Sequence, residues 1–197
     1  MEFKAFEEGI EVNGRTVWAV VAGFNLHRRI PSMILLEEGI GTAGVGIVEV
    51  DPLAWYPQQA WLNAFRRIST EVGDGVLLSI GSAIPDNAAF PQWVNDIHGA
   101  IQSVDIAYHL NHRKGGRTMF DVATRVMLEG IGHYGCERVD GERRITSECR
   151  NPYPCAFDRG ILSAMAHRFE KESMVRHDDS RPCRRAGADS CTYEVTW

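Results

Sequence analysis

Residues 155–197 read CAFDRGILSAMAHRFEKESMVRHDDSRPCRRAGADSCTYEVTW, a helical pattern followed by a strand pattern. Between Asp158 and Phe169, the residues Ile161, Leu162, Met165 and Phe169 fall on one face, the repeat of an amphipathic helix. From Cys191 to Trp197 apolar and polar residues alternate, the period of a strand with one buried face. Upstream, residues 125–131, 133–139 and 143–149 read as further strands, with the turn pair Asp140 and Gly141 between the last two. An antiparallel meander, a helix and a closing strand are therefore expected.

The middle of the chain has helical texture. Pro57 suits a first turn, and Trp61, Phe65, Ile68 and Val72 form one apolar stripe ended by Gly73. Residues 76–84 predict a second helix stopped by Pro85. Pro91 opens a third, with Trp93, Ile97, Ile101, Val104 and Tyr108 on its inner face. At the start, Asn13 and Gly14 predict a hairpin over residues 10–24, because Val17, Ala19 and Val21 alternate after the turn. Asn25 is a candidate cap for a helix reaching Leu36. The stretch from Gly39 to Gly46 lacks both the Gly-Lys-Ser/Thr end of a phosphate loop and the strand-turn-helix order of a dinucleotide site, so it reads as a loop. The fold class expected is α+β: a helical layer packed on an antiparallel sheet, with an N-terminal hairpin and a C-terminal strand.

The chain's 197 residues suffice for one well-filled core. A formal net charge of -5 leaves no basic excess for a phosphate backbone, so nucleic acid is not expected as a partner. No apolar run is long enough to cross a bilayer, and the first residues lack a signal layout, so a cytoplasmic protein without a membrane partner is expected.

The 5 cysteines lie in the second half, an odd number that fits a disulfide framework poorly. Cys155 precedes the last helix, Cys183 follows it, and Cys191 opens the final strand, so folding can gather three thiols at one corner. Thiolates are soft, strong ligands, and zinc in a closed tetrahedral structural site is the cofactor expected of such a group. The fourth ligand is open between His177, Asp178, Asp179 and Cys149. Inert thiol packing and a disulfide are the alternatives.

The end of the chain resembles the 4-vinyl reductase domain family. The resemblance rests on Cys155, the helix from Phe157 to Phe169, the spacing of Cys183 to Cys191, and the ending from Gly187 through Cys191 to Val195. It covers the last third well and the helical middle loosely. It implies a single ligand-binding domain over residues 1–197, related in fold to haem NO-binding domains and vesicle-tethering subunits. In metal-binding members a carboxylate stands three residues before the first cysteine of the final pair, where this chain has Ser180, and His177 is placed as fourth ligand instead. The Tyr-x-Ser-x-Arg signature of haem NO-binding relatives is absent, so haem is not expected.

Asp105, His109 and His112 follow helical spacing and form a second candidate metal group. Trp61, Phe65, Trp93, Tyr108, His133 and Tyr134 are the candidate ligand-pocket residues. No nucleophile elbow, His-Glu-x-x-His or Cys-x-x-Cys occurs. The leading expectation is a sensor or carrier domain for an apolar or aromatic small molecule, acting with an effector protein and pairing as a homodimer through its helices. An enzyme or accessory protein acting on a tetrapyrrole or small heterocycle, and an assembly subunit, are the alternatives.

Overall fold

The computed structural model describes residues 1–22, 24, 29–85 and 93–197. Strand β1 (Ile10–Asn13) runs into helix α1 (Gly14–Ala22), and α2 (Arg29–Glu37) is followed by short strands β2 (Thr42–Ala43), β3 (Val48–Glu49) and β4 (Trp55–Pro57). Helices α3 (Gln58–Glu71), α4 (Asp74–Ala83) and α5 (Ile97–Leu110) come next. Short strands β5 (His112–Lys114), β6 (Arg117–Thr118), β7 (Phe120–Asp121), β8 (Val126–Met127), β9 (His133–Tyr134) and β10 (Glu137–Arg138) lead to the longer β11 (Arg144–Arg150). Helix α6 (Cys155–His167) and strands β12 (Met174–His177) and β13 (Cys191–Thr196) complete the chain. The fold is α+β, with helices against antiparallel sheets.

The larger sheet has the order β10-β11-β13-β12, with β9 also paired to β11. Its register sets Ile145 opposite Val195, Ser147 opposite Tyr193 and Cys149 opposite Cys191, all buried on one face. Helix α6 covers that face with Ile161, Leu162 and Met165, each such burial contributing roughly 1.5–3 kcal/mol. Phe169 lies past the end of α6 and is partly exposed. Helices α4 and α6 touch backbone to backbone. A Cβ on Gly81 would sit 2.1 Å from the Phe157 carbonyl oxygen, and one on Gly160 would sit 2.3 Å from that of Leu78.

The expected N-terminal hairpin is corrected. After β1 the chain turns into α1, because Val17, Val20 and Phe24 recur at a helical period and are all buried. Asn13 accepts a hydrogen bond from the Arg15 amide at 2.8 Å, and Gly14 is required by close approach: a Cβ there would meet the Asp51 carbonyl oxygen at 2.2 Å. β1 pairs instead with β4 and β5, forming a second sheet of order β4-β1-β5-β6. The expected strand over residues 125–131 shrinks to β8, and β12 is an additional edge strand whose polar, part-exposed sequence carries little alternation. Asn25 and Pro91, the expected starts of two helices, lie outside the described residues. Helix α5 is capped at Asp96, which accepts from the Gly99 amide at 2.6 Å.

Candidate functional site

Four segments bring sulfur and imidazole together at one corner of the larger sheet. Cys155 is the first residue of α6, Cys191 the first of β13, and His177 the last of β12; Cys183 leads into a 3-10 turn at Arg184–Ala186. One ligand atom of each of Cys155, His177, Cys183 and Cys191 lies within 4.8 Å of the others. The sulfurs stand 3.1 Å (Cys155 to Cys191), 3.5 Å (Cys155 to Cys183) and 3.6 Å (Cys191 to Cys183) apart. Those separations are far beyond a disulfide bond. They approach the ~3.8 Å edge of a tetrahedron with metal–sulfur bonds of ~2.3 Å.

The surroundings of the corner favour ligation. His177 Nδ1 is 2.8 Å from the Asp179 carboxylate, and its buried Nε2 has no hydrogen-bond partner. A carboxylate behind the distal nitrogen is the arrangement that orients a ligating imidazole. Burial depresses the pKa of His177, but the Cys191 sulfur and Asp179 outweigh it and hold the imidazole above its ordinary range. Cys191 is held well below the ordinary thiol range, first by the Cys155 S–H and then by Arg184, whose backbone N–H and Nε–H point at the sulfur from 3.3 and 3.4 Å. The Cys155 thiol is pushed well above its ordinary range, first by its contact with the Cys191 sulfur, then by burial and by Glu2, so it is the proton-bearing partner of the pair. Its amide donates to Glu2 at 2.8 Å, and Tyr193 donates to its carbonyl at 2.9 Å.

The alternatives for the fourth position lie elsewhere. Asp178 is taken by the amide and hydroxyl of Ser180 and by Arg181. Asp179 stands behind His177 rather than beside the sulfurs. Cys149 is buried against the Ser147 hydroxyl, with its thiol pKa pushed up by burial.

Arg184 connects this corner to the interior. Its guanidinium is buried and donates to the Asp158 carboxylate and to Asn151, and the other Asp158 oxygen accepts from the Tyr134 hydroxyl at 2.5 Å. The ring of Tyr134 lines a partly open cavity of about 80 Å³ between α5, α6 and the aromatic residues of α3. Trp61, Val104, Tyr108, His112, Tyr153, Phe157 and Ile161 form most of its wall. The wall is apolar, and nearly every polar atom on it is already bonded. His112 contacts the Tyr108 carbonyl through Nδ1 and the Tyr153 hydroxyl through Nε2, while Tyr108 donates to the Ile131 carbonyl at 2.7 Å. Trp61 is the exception: it is fully buried, and its indole N–H has no partner.

The expected pocket residues thus divide. Trp61, Tyr108 and Tyr134 line the cavity. Phe65 packs behind Trp61, with ring centroids 4.6 Å apart, and Trp93 is exposed. His133 lies outside the cavity, bonded to Asp105 at 3.0 Å. Sequence reasoning missed Tyr153, Phe157, Asp158 and Arg184. The two prolines around Tyr153 and the acidic residue in the first turn of α6 are visible in the sequence, but a carboxylate there suits the positive helix end by itself, and nothing local points from Asp158 to Arg184.

This arrangement sets a helical layer on antiparallel sheets around a small apolar cavity. No protein-family model matches the chain, and no curated protein matches it. Solved structures do share its fold. An H-NOX protein from S. oneidensis in the Fe(II)NO ligation state aligns at a TM-score of 0.61 and 14% identity, covering 93% of this chain and 97% of that one. An oxygen-binding H-NOX domain related to soluble guanylate cyclases aligns at 0.59 and 14%, covering 93% and 94%. A structure described for the modulation of haem redox potential through porphyrin distortion aligns at 0.56 and 12%, covering 94% and 99%.

The expected cofactors are corrected by these matches. The sequence reading looked to zinc and set haem aside; the proteins sharing this fold are named for Fe(II), NO, oxygen and haem, so haem is the cofactor recorded on the fold. Among the described residues, no helix is long and apolar enough to cross a membrane.

Proposed function

We propose that this chain is a small-molecule sensor domain whose ligand occupies the cavity beside Trp61 and Tyr134. The observation that carries the reading is a small apolar cavity lined by Trp61, a fully buried residue whose indole N–H has no partner among the described residues. A buried donor without a partner costs roughly 1–3 kcal/mol, and an acceptor atom on the ligand recovers it. The ligand is therefore apolar, a few heavy atoms in size, with one acceptor. The H-NOX fold and the likeness of the C-terminal third to 4-vinyl reductase domains both support a ligand-sensing role.

Haem enters through the fold and was tested against the described residues. A porphyrin needs several times 80 Å³, and His112, the imidazole on the cavity wall, has both nitrogens engaged. The described packing therefore does not fit the group.

The corner of Cys155, His177, Cys183 and Cys191 is the site of a thiophilic metal ion that ties α6, β12 and β13 together. It is a closed site, since three sulfurs and one nitrogen fill a tetrahedron and leave no open position for water. Its binding energy then adds to folding energy.

Native mass spectrometry of freshly purified protein, compared with denaturing conditions and with the visible spectrum before and after hemin addition, tests the reading. A retained small organic mass without a Soret band supports it. Stoichiometric haem with a Soret band overturns the small-cavity reading and makes the chain a haem sensor.

A further inference from the structure

Outside the cavity, α5 and β9 build a second group of ligating side chains. The sequence pairs Asp105 and His109 with His112, but α5 ends at Leu110 and His112 turns inward to Tyr153. His133 of β9, 28 residues from Asp105 along the chain, takes that place. One ligand atom of each of Asp105, His109 and His133 lies within 4.8 Å of the others. His133 Nδ1 is 3.0 Å from one Asp105 oxygen, and His109 Nδ1 is 3.5 Å from the other. Glu129 approaches the far side of the His133 ring at 3.4 Å.

Two features ask for a cation here. First, His109 is fully buried, its Nδ1 lies 2.8 Å from the Asp105 carbonyl, and its Nε2 has no hydrogen-bond partner. The carbonyl fixes the proton on Nδ1, leaving a buried lone pair on Nε2, and the His109 and His133 ring centroids stand 4.8 Å apart. Second, the Asp105 carboxylate accepts from the Tyr134 amide at 2.9 Å and faces the two imidazoles, and neither it nor Glu129 is ion-paired to a Lys or Arg among the described residues.

The geometry points to a second metal site at Asp105, His109 and His133, with Glu129 behind the distal nitrogen of His133, for a borderline first-row divalent cation. Two imidazoles with one carboxylate suit such an ion better than a thiophilic one. Metal–ligand bonds of ~2.1 Å place neighbouring ligand atoms ~3.0–3.4 Å apart, close to the spacing between Asp105 and His133. The side chain of His133 is 38% exposed and that of Asp105 16%, so the site reaches water and keeps open positions, in contrast to the closed cysteine corner. Val104, Tyr108 and Tyr134, neighbours of Asp105, His109 and His133 in sequence, line the cavity, so an ion bridging α5 and β9 would brace its wall.

Co(II) titration of the metal-stripped full chain tests this, because thiolate-to-cobalt charge transfer marks the cysteine corner and is absent from a nitrogen and oxygen site. The expected result is one Co(II) equivalent without the charge-transfer band, measured by calorimetry, that weakens roughly tenfold or more in His133→Ala and in Asp105→Asn. It should persist in Cys155→Ser, in which the charge-transfer band is lost. Failure of the cysteine corner to bind leaves this equivalent unchanged, which separates the two sites. Wild-type protein lacking a band-free equivalent, or His133→Ala and Asp105→Asn binding it as tightly as wild type, overturns the assignment.

Discussion

The cysteine corner and the aromatic cavity stand at opposite ends of one buried polar chain, and they are built from opposite materials. At the corner, three sulfurs and an imidazole converge from α6, β12, β13 and the loop between the strands. At the cavity, aromatic rings from α3, α5 and the segment before α6 surround an apolar space whose wall includes Trp61, with its unpartnered indole N–H. Arg184 reaches the Cys191 sulfur with Nε and Asp158 with its terminal nitrogen, and Asp158 holds the hydroxyl of the cavity residue Tyr134. The corner thus gathers side chains able to ligate an ion, whereas the cavity wall is apolar and most of its polar atoms among the described residues are already bonded. On the proposed reading, the first would add stability and the second would select a ligand.

The connection between them is the place to break the comparison. Arg184→Met leaves Asp158 charged and buried without its partner, so a loss of about 3–5 kcal/mol is expected in urea unfolding. Arg185→Met, at an exposed ion pair, should change stability by under ~1 kcal/mol. The double variant Asp158→Asn, Arg184→Met should recover part of the loss. Equal effects at positions 184 and 185 would show that the buried chain does not join the two regions.

Acid acts on the cavity side. Burial lowers His112 from 6.5 to about 4, so the unfolded chain takes up the proton before the folded one does. The stability due to neutral His112 is complete above pH 6.5 and is lost as pH falls through 4, by up to roughly 3 kcal/mol. Unfolding midpoints measured from pH 7.5 down to 4 should fall, and His112→Gln should flatten that slope. A slope unchanged by the substitution would assign the acid sensitivity to other groups.

Gly160→Ala comes next in size. It forces α4 and α6 apart where a Cβ would meet backbone, and a loss of about 1–3 kcal/mol in thermal or urea unfolding is expected. Gly75→Ala, with open space around it, should be neutral or stabilising. The smallest effect expected is that of Trp61→Phe, which keeps a ring and removes the N–H. Ligand affinity should fall by the worth of one hydrogen bond, about 0.5–1.5 kcal/mol, while Co(II) binding at the cysteine corner stays unchanged.

Much of the corner was legible in the sequence because its ligands are rare residue types, and their spacing around one helix and one strand leaves little choice of location. The α+β class, the stripe of Trp61, Phe65 and Ile68, and strands β11 and β13 were legible from periodicity. The start of the chain was not: Val17, Ala19 and Val21 fit a period of two as well as a helix, and only packing decides. The cavity was half legible. Aromatic residues announce themselves, but Trp61, Tyr108 and Tyr134 differ from Phe65 and Trp93 only in which way the fold turns them. The bond of His133 to Asp105 and that of Arg184 to Asp158 join residues 28 and 26 apart, with no local pattern to mark them. Haem was set aside for want of a short signature, although a fold can be shared with haem proteins when no such signature remains.

The most direct test is the indole N–H signal of Trp61, assigned through Trp61→Phe and followed by 1H–15N NMR as acetone, a probe of four heavy atoms with one acceptor, is added. A saturable shift of that signal, with the indole of exposed Trp18 unmoved, is the result predicted. No saturation at Trp61, or the same drift at Trp18, would contradict a ligand cavity at this position.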